Sequence, residues 1–117
     1  MADLPVIECY LGDTTDILEL GVQTSKKNVP PITVATLDAN YSCKIAVDGA
    51  APPINRAVTL KTADNLYFRG WLTPAETQAI GVGDHILGMQ ISNATVSPPL
   101  VKEKQWTLRI LPSAVSG

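Results

Sequence analysis

At 117 residues the chain has room for one domain of ordinary size and no second one. Nine basic and eleven acidic residues are scattered along it for a formal net charge of -2, so no patch of the kind that neutralises nucleic-acid phosphates is legible. The apolar runs stop far short of the ~20 residues of a helical membrane span. The opening stretch carries Asp3, Glu8, Asp13, Asp16 and Glu19 without the basic and apolar blocks of a secretory signal. The expectation is a soluble protein kept in cytosol-like surroundings, with neither nucleic acid nor membrane as partner.

Residues 5–10 and 16–22 read as extended segments separated by a Gly12-Asp13 turn. Lys26-Lys27 reads as a solvated loop, followed by turn residues at 28–31 and a third extended segment at 32–37. A turn at 38–40 precedes the clearest strand, 41–47, where Tyr41, Cys43, Ile45 and Val47 alternate with Ser42, Lys44 and Ala46. Residues 50–55 read as a proline-rich loop. Period-two alternation returns at 58–62, with Val58 and Leu60 set against Thr59 and Lys61.

The stretch 66–72 is extended and rich on both faces, and then the pattern changes. Thr73-Pro74-Ala75-Glu76 places a hydroxyl at a helix N-cap, a proline at the first helical position and a carboxylate three residues after the cap. The spacing predicts a short helix over 74–80 that stops at Gly81. Glu76 already occupies the helix N-terminus with a negative charge and no glycine-rich phosphate loop precedes it, so the helix is expected to be a connector rather than an anion site. Strands at 84–92 and 104–111 follow, the latter with Trp106, Leu108 and Ile110 against Thr107 and Arg109. The doublets Pro30-Pro31, Pro52-Pro53 and Pro98-Pro99 fall between strands, where they mark loops or blunted edges.

Seven to eight short strands separated by turn residues predict an all-β fold, a small sandwich or barrel of antiparallel strands filling residues 1–117 as one domain, with short arms at both ends. No catalytic, cofactor or metal site is legible. Cys9 and Cys43 lie in alternating apolar segments and read as buried free thiols. His85 is the only histidine, and Asp84-His85 reads as a turn into a strand rather than a catalytic dyad. Asp13 and Asp16 lack the dense carboxylate run of a calcium loop. Asn40 and Asn93 open glycosylation tripeptides that read as chance matches.

The sharper expectation concerns assembly. A strand apolar on both faces buries one inside the sandwich and offers the other to a partner. Tyr67 and Trp71 in one such strand, and Leu87, Met89 and Ile91 in another, are therefore the candidate protein interface, with Thr73 and Glu76 as the helix cap between them.

The order of an extended apolar strand, Trp71-Leu72-Thr73-Pro74-Ala75-Glu76-Thr77, a short helix, Gly83-Asp84-His85 and an alternating strand resembles the small immunoglobulin-like domain of bacteriophage virion proteins. The likeness is to the N-terminal domain of baseplate upper proteins and tail-fibre adaptors. Gly12-Asp13-Thr14 ahead of a strand, and Leu37-Asp38-Ala39 ahead of residues 41–47, are similar to turns of that domain. The resemblance implies a non-enzymatic structural protein of the virion, made in the bacterial host cytoplasm. It would be a rigid tail or baseplate adaptor whose partners are other phage structural proteins and copies of itself. A capsid decoration protein that stiffens the head shell is the alternative, and a carbohydrate-binding module a more distant one.

Overall fold

In a computed structural model, which describes residues 4–22, 36–48 and 53–114, two sheets pack face to face as a small β-sandwich. The chain runs β1 (Val6–Tyr10), β2 (Leu18–Gly21), β3 (Ser42–Val47), β4 (Ile54–Ala57), β5 (Tyr67–Gly70), α1 (Pro74–Ile80), β6 (Gly83–Asn93) and β7 (Leu100–Leu111). The large sheet has the order β1-β7-β6-β3-β4 and the small one pairs β2 with β5. The terminal arms, Lys26-Lys27, Pro30-Pro31, Pro52 and most of the strand expected at 32–37 lie outside the described residues.

The sequence pattern decides which face of each strand turns inward. Cys43, Ile45 and Val47 of β3, Leu87, Met89 and Ile91 of β6, and Trp106, Leu108 and Ile110 of β7 all point into the sandwich and are buried. Leu18 and Leu20 of β2 and Phe68 of β5 close the core from the small sheet. The layers touch where Gly70 has no side chain. A Cβ there would lie 3.4 Å from both Met89 Cε and Val58 Cγ2.

Two features depart from the expected pattern. The pairings from β7 through β6 and β3 to β4 are antiparallel, but β1 runs parallel to β7, with Val6 opposite Thr107 and Tyr10 opposite Leu111. The strand expected at 58–62 is replaced by a crossing between sheets. β4 begins inside the stretch read as a proline-rich loop, and Val58 N–H still donates to Cys43 O of the large sheet at 2.9 Å. Two residues later the chain lies beside β5, where Arg69 N–H donates to Leu60 O at 2.8 Å and Thr62 N–H to Tyr67 O at 2.9 Å. A chain that changes sheets cannot keep one face inward, so Val58 is buried while Leu60 is exposed.

The helix spans 74–80 as its cap predicts. Thr73 Oγ1 accepts Glu76 N–H at 3.2 Å, and Glu76 Oε1 accepts Thr73 N–H at 2.9 Å, so both halves of the capping box are made. Gly81 ends the helix with φ 89°, where a side chain would be strained, and its N–H donates to Thr77 O.

Candidate functional site

Three groups of residues bear on a site: the helix cap, the inward face of β6 expected to be an interface, and the outer face of the large sheet. The first is a structural joint. Arg56 on the edge strand β4 donates from Nε to Glu76 Oε2 at 2.7 Å and from Nη2 to Glu76 Oε1 at 2.9 Å, while Nη2 also donates to Trp71 O at 2.6 Å. The hydrogen bonds from Arg56 hold the Glu76 carboxyl below the ordinary glutamate range, and the same pair raises the Arg56 guanidinium. With Thr73 N–H and two guanidinium donors on it, the carboxylate is committed to binding protein rather than to moving a proton.

The segment ahead of β2 anchors the other side of the helix. Buried Thr77 donates from Oγ1 to Asp13 O at 2.8 Å, and Thr15 exchanges two bonds with Leu72. Thr15 N–H donates to Leu72 O at 3.1 Å, and Leu72 N–H donates to Thr15 Oγ1 at 2.8 Å. Glu76 thus ties the helix to β4 of the large sheet, while Leu72 and Thr77 tie it to the segment that leads into β2 of the small one. Beside this joint a shallow groove of about 240 Å³ runs between β4 and β5, lined by Arg56, Val58, Leu60, Arg69, Gly70 and Trp71.

The expected interface on β6 is corrected by burial. Leu87, Met89 and Ile91 are each 0% exposed and face β2 and β5, so they belong to the core. Fully burying side chains of this size stabilises a fold by about 1.5 to 3 kcal/mol each, and a partner-facing orientation would forfeit that. The strand is apolar on both sides only at Ile86, and it is Ile86 that reaches the outer face. Tyr67 and Trp71 are half-buried on β5 and its continuation, Trp71 beside the groove and the helix cap and Tyr67 at the other end of the strand, next to Gly21 and Lys102. The structure thus separates the five residues into a core triplet and a half-exposed pair.

Asp84 and His85 are adjacent on β6 and turn to opposite faces. Asp84 pairs with Arg109 of β7, Nε to Oδ1 at 3.0 Å and Nη2 to Oδ2 at 3.3 Å, which holds its carboxyl below the usual aspartate range. His85 Nε2 lies 3.1 Å from Gly81 O. These positions give the two side chains separate structural partners instead of a shared reacting atom. Cys9 and Cys43 are free and buried, as expected, and no group of three or more metal-ligating side chains gathers among the described residues. Burial raises both thiols, Cys43 to about 11.

Sequence reasoning passed over the outer face of the large sheet. Across β6, β7 and β1 the outward rows read Ile86, Thr107, Val6 and then Asp84, Arg109, Glu8, with Leu111 and Tyr10 beyond. Val6, Tyr10, Ile86 and, farther along β7, Val101 are exposed apolar side chains on this surface. Lys44, Gln90 and Glu103 cross it as a polar row, with Gln90 Nε2 donating to Glu103 Oε1 at 3.2 Å. The signal was present in the alternation of Val6, Glu8 and Tyr10, but only strand order shows that these residues end the sheet. No protein family, characterised protein or solved structure matches the chain.

Proposed function

We propose that the chain is a non-enzymatic structural protein of a bacteriophage particle, a rigid β-sandwich adaptor of the tail or baseplate that works through protein–protein contacts. The observation that carries the binding part of this reading is the outer face of the large sheet. Exposed Val6, Tyr10 and Ile86 stand there around the paired charges of Asp84, Arg109 and Glu8, the mixture of apolar anchors and polar neighbours that protein interfaces use. The titratable groups support it from another side, because Glu76 and Asp84 are held in ion pairs that fix the scaffold. The virion setting rests on the sequence resemblance around Trp71–Leu72–Thr73–Pro74 and the strand that follows.

Rigidity suits an adaptor. The Arg56–Glu76 pair, the capping box and the Thr15 and Thr77 bonds tie the connector between β5 and β6 to both sheets, so a load applied to the large sheet reaches the small one through short polar links as well as through the core. A decoration protein of the head shell would use the same surface and add contact area between shell subunits.

Separated heads and tails of the source particle distinguish these two readings. Quantitative mass spectrometry is expected to find the chain with tails, at roughly six to thirty-six copies per particle, as closed rings of subunits require. Hundreds of copies on tail-free heads would replace the adaptor with shell decoration. Absence from both fractions, or hydrolysis of a polysaccharide by the purified chain, would overturn the structural reading altogether.

A further inference from the structure

Among the described residues β1 is an edge strand, and its main chain is only half used. At the two ends of its parallel ladder with β7, Thr107 N–H donates to Pro5 O at 2.8 Å and Leu11 N–H donates to Leu111 O at 2.9 Å. Successive residues of a strand direct their main-chain groups to alternate sides. The odd-numbered residues of β1 therefore serve β7, while Val6, Glu8 and Tyr10 turn theirs away from the sheet. Tyr10 O is taken by Asp13 N–H at 2.9 Å. Among the described residues, no hydrogen bond reaches the amides of Val6, Glu8 and Tyr10 or the carbonyls of Val6 and Glu8. Of the devices that commonly blunt such an edge β1 carries one, the charge of Glu8, with no lysine, internal proline or bulge.

The side chains specify what would fit beside it. Asp84, Arg109 and Glu8 form a row of alternating charge across β6, β7 and β1, with Arg109 Nη1 3.5 Å from Glu8 Oε2. The row ends at the sheet edge on Glu8, whose side chain is 55% exposed. On either side of it along β1, Val6 and Tyr10 are 51% and 53% exposed. The next strand in this sheet is thus asked for a cation opposite Glu8 and an apolar side chain opposite each of its neighbours. A second copy of β1 does not meet that demand. Antiparallel pairing with Val6 against Tyr10 sets Glu8 against Glu8, and like charges directly opposite are destabilising.

We propose that β1 is a docking edge for an extended segment of another protein, which adds antiparallel as a sixth strand of the large sheet. The segment carries Lys or Arg opposite Glu8 and an apolar residue two positions to each side. This deepens the reading of the chain as a protein-binding adaptor by naming the surface and the partner's chemistry, and it does not depend on which particle the chain serves. Main-chain bonds supply the attachment in such strand addition, and alternate side chains supply the choice of partner.

The test uses the full chain labelled with 15N and the synthetic peptide acetyl-Thr-Val-Thr-Lys-Thr-Tyr-Thr-amide. Its titration is expected to shift the amides of Val6, Glu8 and Tyr10. A peptide with Glu in place of Lys is expected to bind about tenfold more weakly, on the scale of cross-strand charge pairs. Methylation of the peptide's Lys amide nitrogen is expected to abolish binding. Glu8→Gln should erase the preference between the two peptides and Glu8→Lys should invert it, with thermal melting reporting that both variants fold. Absence of shifts at these amides, indifference to N-methylation, or equal binding of the two peptides would overturn the proposal. So would a concentration-dependent dimer in which the β1 amides are already protected. Particle fractionation reads the virion assignment independently, so either inference can fail while the other stands.

Discussion

Arg56 and Glu76 are joined by two parallel hydrogen bonds of 2.7 and 2.9 Å, and the oxygen that takes the longer one also accepts Thr73 N–H. One carboxylate thereby completes the helix cap and holds the edge strand β4. Glu76→Ala removes both roles and is expected to lower unfolding free energy by about 1 to 2 kcal/mol, the scale of a lost cap plus a partly exposed ion pair. Arg56→Ala leaves the capping box intact and should cost about 1 kcal/mol or less, because its side chain is 40% exposed and solvent screens the pair. Denaturant unfolding of the two variants and their double mutant reads the coupling. The double mutant should lose less than the sum of the singles, and strict additivity would show that the pair contributes no interaction energy.

Acid should reveal the same joint. The folded-state carboxyls of Glu76 and Asp84 are held below their ordinary ranges, first by hydrogen bonds from Arg56 and Arg109 respectively. A depressed carboxyl contributes stability that is present above its unfolded pKa, about 4.3 for glutamate and 3.9 for aspartate, and that is lost as pH falls through the folded value. Thermal melting from pH 7 to pH 2 is therefore expected to be level near neutrality and to fall below about pH 4.5. Glu76→Gln should be less stable than the parent at pH 7 and should converge on it in acid. A constant difference between them across the whole range would remove Glu76 from the acid transition.

The helix and the strand at β3 were legible because their signals are local. A cap, a proline and a carboxylate within four residues set α1, and strict alternation set β3. β4 gave no such signal, since Asn55, Arg56 and Ala57 are exposed and the strand exists through its pairing with β3. Only the apolar half of β7 carries a legible alternation, so the strand starts four residues earlier than the expected 104–111. Its first residues place Lys102 and Lys104 on the inward side, where Lys102 Nζ donates to Gly21 O at 2.9 Å and burial lowers its ammonium. The pairing of Arg56 with Glu76 crosses two elements that no local pattern connects. The β6 interface was misassigned for a different reason: composition gives two faces to a strand, but only packing tells which one looks inward.

Thiol chemistry offers a sharp check on the core. Cys43 is 3% exposed with its pKa pushed up to about 11, and Cys9 is raised by burial first and by Asp13 and Asp16 after it. Thiolate is the reactive form, so neither residue should react with an aromatic disulfide reagent in the folded protein at pH 8 within minutes. Both should react at once in guanidinium chloride. Rapid labelling of Cys9 in the native chain would mean that β1 opens from the sheet, and labelling at Cys43 would contradict the central position of β3.

Gly21 and Gly88 provide the most demanding comparison, because both are strand glycines and only one is fixed by its surroundings. A Cβ added at Gly21 would lie 2.5 Å from Leu66 O and 2.7 Å from Tyr67 Cδ1, so main chain of the small sheet stands where the methyl group must go. Added at Gly88 it would meet nothing closer than 3.8 Å, facing the outer surface beside Gln105 and Glu103. Gly21→Ala is expected to destabilise by about 1 to 3 kcal/mol, the usual cost of overpacking, by forcing β2 away from β5 and disturbing the Lys102 bond to Gly21 O. Gly88→Ala should be neutral or stabilise by a few tenths of a kcal/mol up to about 1, since alanine restricts the unfolded chain. Guanidinium unfolding of the two single variants measures both. Equal effects would mean that β2 and β5 do not approach as closely as Leu66 O and Gly21 require.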